Sequence, residues 1–418
     1  MNALAPPRSW RPIRAMGLVS LLAFACGGGK QGTSSGAGGS GTGLPNGGSV
    51  AGITSGSGNI GTSGADVSGN GGMPAAVGGS APATGGLGAG QVTAGAGGGS
   101  ATLPASGTLR IYWIDTEGGA STVIAAPDGA VIVVDVGFSS RDAQRVATLL
   151  KDELHATKID VLIVTHYHID HVGGVPTLAG MFPVSAFYDH GAAVESGSHI
   201  DAYMQLVSAA DAKRTIVKPG QQLSFGSLAL TFVTAAEQVI EPPLPSAVPN
   251  DGCANPVSKS QLAGAENPES VGFLARFGSF DFLDLGDFTW NVEQKLACPS
   301  NRVGVVDLYQ VSHHGMDLSS SPQLVYSLKP LVAVMNNGAA KGGAAATFEL
   351  LKASLGLQDL WSLHRVSAND AVHNADEALT ANLDGADQAY GLSASVDASG
   401  KFTLRNARTG MSRSYQAR

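Results

Sequence analysis

Apolar and polar positions alternate and cluster in a regular way from about residue 108 onward. TLRIYWID, 108–115, alternates and then turns apolar, which predicts a strand. STVIAAP, 121–127, and AVIVVDVG, 130–137, follow, joined by the turn Pro127-Asp128-Gly129, and predict a hairpin. DAQRVATLLKDEL, 142–154, spaces its apolar residues as a helix does. DVLIVT, 160–165, is a short apolar run that predicts a buried strand. A short helix at 175–182, a strand at 184–189, a helix at 199–212 and a hairpin at 222–235 come next. Residues 240–268 are rich in Pro, Asn and Ser and predict a long loop. Strands resume at 270–287, 306–315 and 332–338, with a helix near 347–355. LSASVD and FTLRNA close a last strand pair on Asp397 to Gly400. Strands dominate, with helices between them, which predicts two sheets packed as a sandwich under helices.

Composition divides the chain before that pattern begins. Thirty of the 57 glycines fall in 27–107, with Ser, Thr and Ala, one lysine, one aspartate and no aromatic residue. Such a stretch cannot bury enough apolar surface to offset chain entropy, so 26–107 is expected to be a disordered linker. Ahead of it, Arg8, Arg11 and Arg14 precede the apolar run AMGLVSLLAFA, 15–25, and then Cys26. This is the pattern of an export signal over 1–25, and the cysteine after Ala23-Phe24-Ala25 resembles a lipoprotein cleavage site. The expectation is a bacterial envelope protein, anchored in the outer membrane through lipidated Cys26, or secreted if Cys26 stays free. Residues 108–418 are then one large folded domain. It carries 21 Lys and Arg against 32 Asp and Glu, a net charge of −11 with histidine neutral. That charge argues against a nucleic-acid partner, whose phosphates need basic residues. Cys253 and Cys298 are even in number and lack a ligand-type spacing, so a disulfide is preferred to a zinc site.

The chemistry concentrates in THYHIDHVGG, 165–174. His166, His168, Asp170 and His171 form H-x-H-x-D-H on a tight loop after the strand 160–165. His166 and His168, two apart, share a face and can reach one ion. Asp170 and His171 lie past the turn and can reach a second. Imidazole and carboxylate suit zinc first, with manganese or iron as alternatives.

These residues resemble the signature loop of the metallo-β-lactamase superfamily, and the resemblance covers nearly all of 108–418. It implies an α+β fold, a four-layer αββα sandwich, and two divalent metal ions. Asp135, after the strand 131–134, resembles that family's buried early aspartate. Asp287, in LGD, falls where the family has a carboxylate bridging two metals. His313 or His314, in VSHHG, falls at the last metal-binding histidine. The first is taken as ligand and the second as a candidate general acid. The third ligand of the first site is expected to be His190, with His199 as the alternative. WIDTEGGAS, APDGAVIVVDVG, LGD and VSHHG together look most like the ComEC-type competence-protein subgroup, though 113–119 lacks its usual Gln-Gly-Asp.

The resemblance implies hydrolysis of a phosphodiester or phosphoester, with Asp170 and Asp287 placing a water whose pKa the metals lower. A lactone, amide or thioester hydrolase on the same fold is the alternative, since a fold does not fix a substrate. A metal-containing surface binding module without turnover is a third reading. His364, in DLWSLH, reads as a surface histidine, with a general acid as its alternative if the C-terminal segment folds back over the site. Asn336 and Asn337 read as turn residues or substrate contacts. Lys341 reads as solvated, with an anion as its alternative partner.

Overall fold

The computed structural model describes residues 107–210, 213–259, 264–384 and 387–418. The expected signal and linker thus fall outside the described residues, apart from Gly107. Two large mixed sheets lie face to face. The first runs in the order Ser412–Gln416, Lys401–Asn406, Leu392–Asp397, Thr108–Trp113, Thr122–Ala125, Val131–Val134, Val161–Ile163, Ala186–Asp189, Lys213–Ile216. The second runs Thr380–Asn382, Asp359–His364, Val332–Met335, Leu308–Gln310, Phe280–Asp284, Gly272–Phe277, Leu228–Ala235, Gln222–Phe225, with Gln238–Val239 paired to Leu228–Ala235.

Side-chain alternation builds the layers. In the first strand Leu109, Ile111 and Trp113 point between the sheets, while Tyr112 points out toward the helices. In Val131–Val134, Ile132 and Val134 face inward and Val131 and Val133 outward. The inner core therefore joins both sheets, through Phe232, Phe273, Phe282 and Trp361 among others. Helices Ser140–Thr148, Val175–Met181 and Ser198–Ala209 cover the first sheet. Helices Trp290–Ala297, Pro322–Leu328 and Ala345–Lys352 cover the second. This is the expected four-layer αββα sandwich. Polar ties cross the inner core: Trp113 Nε1 donates to Gln310 Oε1 at 2.8 Å, Thr122 Oγ1 donates to the same oxygen at 2.9 Å, and Trp361 Nε1 donates to the Tyr415 hydroxyl at 3.0 Å.

Most predicted elements lie where the pattern places them. The helix expected over 142–154 starts at Ser140 and ends in a π turn, Leu149–Glu153. Helices Trp290–Ala297 and Pro322–Leu328 and the strands Asp359–His364 and Ser412–Gln416 carry no distinct signal at the sequence level, because each is short and set by its packing. No helix among the described residues is long and apolar enough to cross a membrane.

Cys253 and Cys298 are joined by a disulfide, as expected, across a sequence separation of 45. Closing a loop of that size restricts the unfolded chain. Replacing both cysteines with serine is expected to cost about 2–4 kcal/mol, read as a lower urea midpoint.

Glu293 lies fully buried on helix Trp290–Ala297 and accepts from the backbone N–H of Ser320 at 2.7 Å and of Ser321 at 2.6 Å. It thereby fixes the turn that follows the histidine pair 313–314. Burial raises its pKa to about 7 from an ordinary 4.5. A carboxyl with a raised folded pKa contributes stability that is complete below its unfolded pKa and is lost as pH rises through the folded one. Stability should fall across that window, and Glu293→Gln should flatten this part of the slope in unfolding midpoints measured pH by pH.

Candidate metal centre

The candidate residues leave the C-terminal ends of strands from both sheets and meet over the sandwich edge. His166 to His171 follow Val161–Ile163, Asp135 follows Val131–Val134, Asp287 follows Phe280–Asp284, and His313 and His314 follow Leu308–Gln310. Gly173 and Gly174 let the loop turn close to the segment 136–139. A Cβ on Gly173 would lie 2.1 Å from Phe138 O, and one on Gly174 2.3 Å from Val136 O. Larger residues there would push the motif off its strand.

Asp170, His171, Asp287 and His314 each present one ligand atom, and all four atoms lie within 4.8 Å of one another. All four residues are buried. His171 Nε2 stands 3.3 Å from Asp287 Oδ2 and 3.2 Å from His314 Nε2. His314 Nε2 stands 3.1 Å from Asp170 Oδ2 and 3.4 Å from Asp287 Oδ2. His166 and His168 form the adjoining half: His166 Nε2 faces His168 Nδ1 at 3.1 Å and Asp287 Oδ2 at 3.9 Å. Asp287 thus borders both halves, as a bridging carboxylate must.

A second layer orients the ligands. Asp135 Oδ2 takes His171 Nδ1 at 2.7 Å and the Thr165 hydroxyl at 2.7 Å, while its Oδ1 accepts Thr165 N at 2.8 Å. With Nδ1–H spent on Asp135, a neutral His171 ring turns the Nε2 lone pair toward the cluster. Asp135 holds a left-handed backbone, φ 56°, to make this reach.

The donor set fits a divalent cation. Nitrogen faces nitrogen twice at hydrogen-bond distance, and in each pair only a shared proton or a cation removes the lone-pair repulsion. Burial alone would raise Asp170 and Asp287, yet the surrounding histidines hold both well below the usual carboxylate range. Burial alone would lower His171, yet Asp287, Asp135 and Asp170 raise it well above its ordinary value. The carboxylates therefore demand positive charge at this point, and nitrogen and oxygen donors of this kind suit zinc, manganese or iron.

Several expectations need correction. His314, not His313, joins the four-group cluster. His313 Nε2 lies 3.5 Å from Asp287 Oδ2 and 3.2 Å from Asn267 Nδ2, with Nδ1 on Ser319 Oγ at 3.1 Å. The reason is local. His313 and His314 both take left-handed backbone, φ 55° and 53°, so the pair does not project as an extended strand end would. His190 is buried and turned elsewhere: Nε2 meets Glu266 Oε2 at 3.0 Å, and the ring packs on Tyr167. Glu266 also accepts from the backbone N–H of Val194, at 2.7 Å, so it is bound into that loop. His199 lies on helix Ser198–Ala209, beside Gly197. His364 is no surface histidine. It is 1% exposed, with Nε2 on Asp115 Oδ1 at 2.7 Å. Asn337 is structural, since its amide donates to His364 O at 2.8 Å.

Sequence reasoning missed Asn267, Glu266 and Glu195. Glu195 Oε2 meets His168 Nε2 at 3.3 Å, leaving Nδ1 of that ring toward His166. The buried Oδ1 of Asn267 has no partner. Asn267 and Glu266 sit in the Pro-rich region that carries no readable motif. Lys341 pairs with Asp170 Oδ2 instead of standing in solvent.

The profile of the metallo-β-lactamase superfamily matches residues 114–249. A metal-dependent hydrolase of Myxococcus xanthus is 37% identical over 108 residues, 26% of this chain and 37% of that protein. Hydroxyacylglutathione hydrolase of Stenotrophomonas maltophilia is 45% identical over 56 residues, 13% of this chain and 19% of that protein. The chain thus spans well under half of the length of these curated relatives. The metallo-β-lactamase fold protein YhfI of Bacillus subtilis superposes with a TM-score of 0.40 at 13% identity, over 62% of this chain and 96% of that one. The profile match falls on the segment that carries His166, His168, Asp170 and His171, and the two helix-flanked sheets that hold this segment have the metallo-β-lactamase fold.

Proposed function

We propose that the folded region is a metal-dependent hydrolase that holds two divalent ions, zinc by first expectation, and cleaves a phosphodiester or phosphoester. The observation that carries this is the cluster of Asp170, His171, Asp287 and His314 with His166 and His168 beside it. Bound ions would polarise the ester and bring the pKa of a water near neutrality. The chain's own residues hold and orient. Asp287 borders both halves, Asp135 fixes the His171 ring, and Glu195 turns His168. His313, beside Asp287 but outside the four-group cluster, is held by Asn267 at Nε2 and by Ser319 at Nδ1, and so positions the turn that carries His314. The likeness of the LGD and VSHHG segments to ComEC-type proteins supports a phosphoester over a carbonyl substrate.

The second reading is a thioester or lactone hydrolase, favoured by the short match to hydroxyacylglutathione hydrolase. A panel separates the two. The metal-loaded full chain is expected to turn over bis(p-nitrophenyl) phosphate and to leave lactones, thioesters and β-lactams intact. Turnover of a thioester or lactone without the phosphodiester would replace the first reading by the second.

We propose further that the chain is exported and held at a bacterial envelope through Cys26. The Arg8, Arg11 and Arg14 segment supports this, as does the disulfide, which persists in oxidising compartments. Radiolabelled fatty acid should enter the parent and not Cys26→Ser; equal labelling would refute the anchor.

A further inference from the structure

Lys341 brings a cation to the edge of the candidate metal cluster. Its Nζ donates to Asp170 Oδ2, an oxygen 3.1 Å from His314 Nε2. A fixed positive charge at that oxygen repels a metal ion in the cluster, so it cannot be there to strengthen metal binding. What it adds is attraction for an anion that shares the site with the metal.

The backbone goes to some length to present this side chain. Gly338 N donates to Lys341 O at 2.8 Å and closes a turn. Gly343 N donates to His314 O and Ala344 N to Gly315 O, each at 2.8 Å, so the loop is stapled directly onto a ligand-bearing turn. The staple needs glycine. Gly342 has φ +78°, and a Cβ there would lie 2.3 Å from His314 O. From the other side the turn at Gly118 packs on Lys341 Cβ, and that turn is anchored through Asp115 to the buried His364. Phe138 lies under the ammonium, 5.2 Å from ring centroid to Nζ. The Lys341 side chain is 35% exposed, whereas Asp170 is 10% exposed and the His171 and His314 side chains are fully buried. The ammonium is therefore the solvent-facing member of the group, standing at the rim of a buried cluster.

We propose that Lys341 is a substrate-binding residue that grips a non-bridging oxygen of a phosphoryl group, so that the site selects small anionic phosphoesters over neutral esters. This rests on the reading of the domain as a phosphoester hydrolase. A lysine ammonium is a point charge with three donors on a flexible stem, well suited to a phosphoryl oxygen. A neutral carbonyl ester offers no charge for it in the ground state. The net charge of −11 on residues 108–418 opposes a long polyanion more than a small one.

The test uses the full chain at saturating zinc, so that any change in metal affinity drops out. Inorganic phosphate is titrated calorimetrically into the parent, Lys341→Met, Lys341→Gln and Lys341→Arg. Both neutral variants should bind phosphate about 10- to 100-fold more weakly, the scale of one charge-assisted hydrogen bond, while Lys341→Arg stays close to the parent. KM for bis(p-nitrophenyl) phosphate should rise in step in both neutral variants and stay close to the parent's in Lys341→Arg. Parent-like phosphate affinity in the neutral variants, or no phosphate binding by the parent, overturns the proposal. Phosphate binding that depends on Lys341 in a chain that cleaves no phosphoester would leave the lysine assignment standing and remove the phosphoester reading. Diester turnover with KM unchanged in Lys341→Met would do the reverse.

Discussion

Asp287→Ala is expected to lose both metal and turnover. Asp287 Oδ2 lies 3.3 Å from His171 Nε2, 3.4 Å from His314 Nε2, 3.5 Å from His313 Nε2 and 3.9 Å from His166 Nε2. One oxygen therefore faces four imidazoles drawn from two loops. Removing it leaves the two halves of the site without a common ligand. Outer-layer changes in metal sites already cost about 10- to 100-fold in affinity or activity, so loss of this ligand should exceed about 100-fold in both. Metal content after dialysis and diester turnover check it. Near-normal metal content and rate in Asp287→Ala would mean that the carboxylate only neutralises the histidines.

Asp135→Asn should show the next largest effect, without touching a ligand. Asp135 accepts three hydrogen bonds, two of them on Oδ2, from Thr165 Oγ1 and His171 Nδ1. An amide nitrogen at that position would meet two donors and accept from neither. The His171 ring would then lose the partner that fixes its tautomer. Metal affinity should fall about 10- to 100-fold, read by chelator competition. Stability should fall too, by about 1–3 kcal/mol for each buried donor left unpaired. An unchanged metal affinity with reduced stability would make Asp135 a purely structural residue.

The half of the site that was legible in the sequence is the half that is local. His166, His168, Asp170 and His171 lie on one loop after one apolar strand, so spacing alone puts them together. Asp135 and Asp287 end apolar strands, and a strand end is visible in the pattern even where its partner is not. The histidine pair was legible only as a pair. Which ring enters the cluster depends on two successive left-handed residues, which neither spacing nor composition encodes. His190 and Glu266 are 76 residues apart, His364 and Asp115 are 249 apart, and Lys341 and Asp170 are 171 apart. Those contacts are fixed by how the two sheets stack, and no local signal carries them. The sandwich itself was legible because strands such as Val131–Val134 are short, wholly apolar runs bounded by turn residues, the mark of a strand buried on both faces. The edge strand Ser412–Gln416 was not, since polar residues dominate it.

The most direct test of the account is a metal titration of the stripped full-length chain, with bis(p-nitrophenyl) phosphate hydrolysis followed at each addition of zinc or manganese. The account predicts no turnover without metal and a rise that saturates near about two ions per chain, absent in Asp287→Ala. A chain that takes up metal in that ratio and hydrolyses no phosphoester would contradict it.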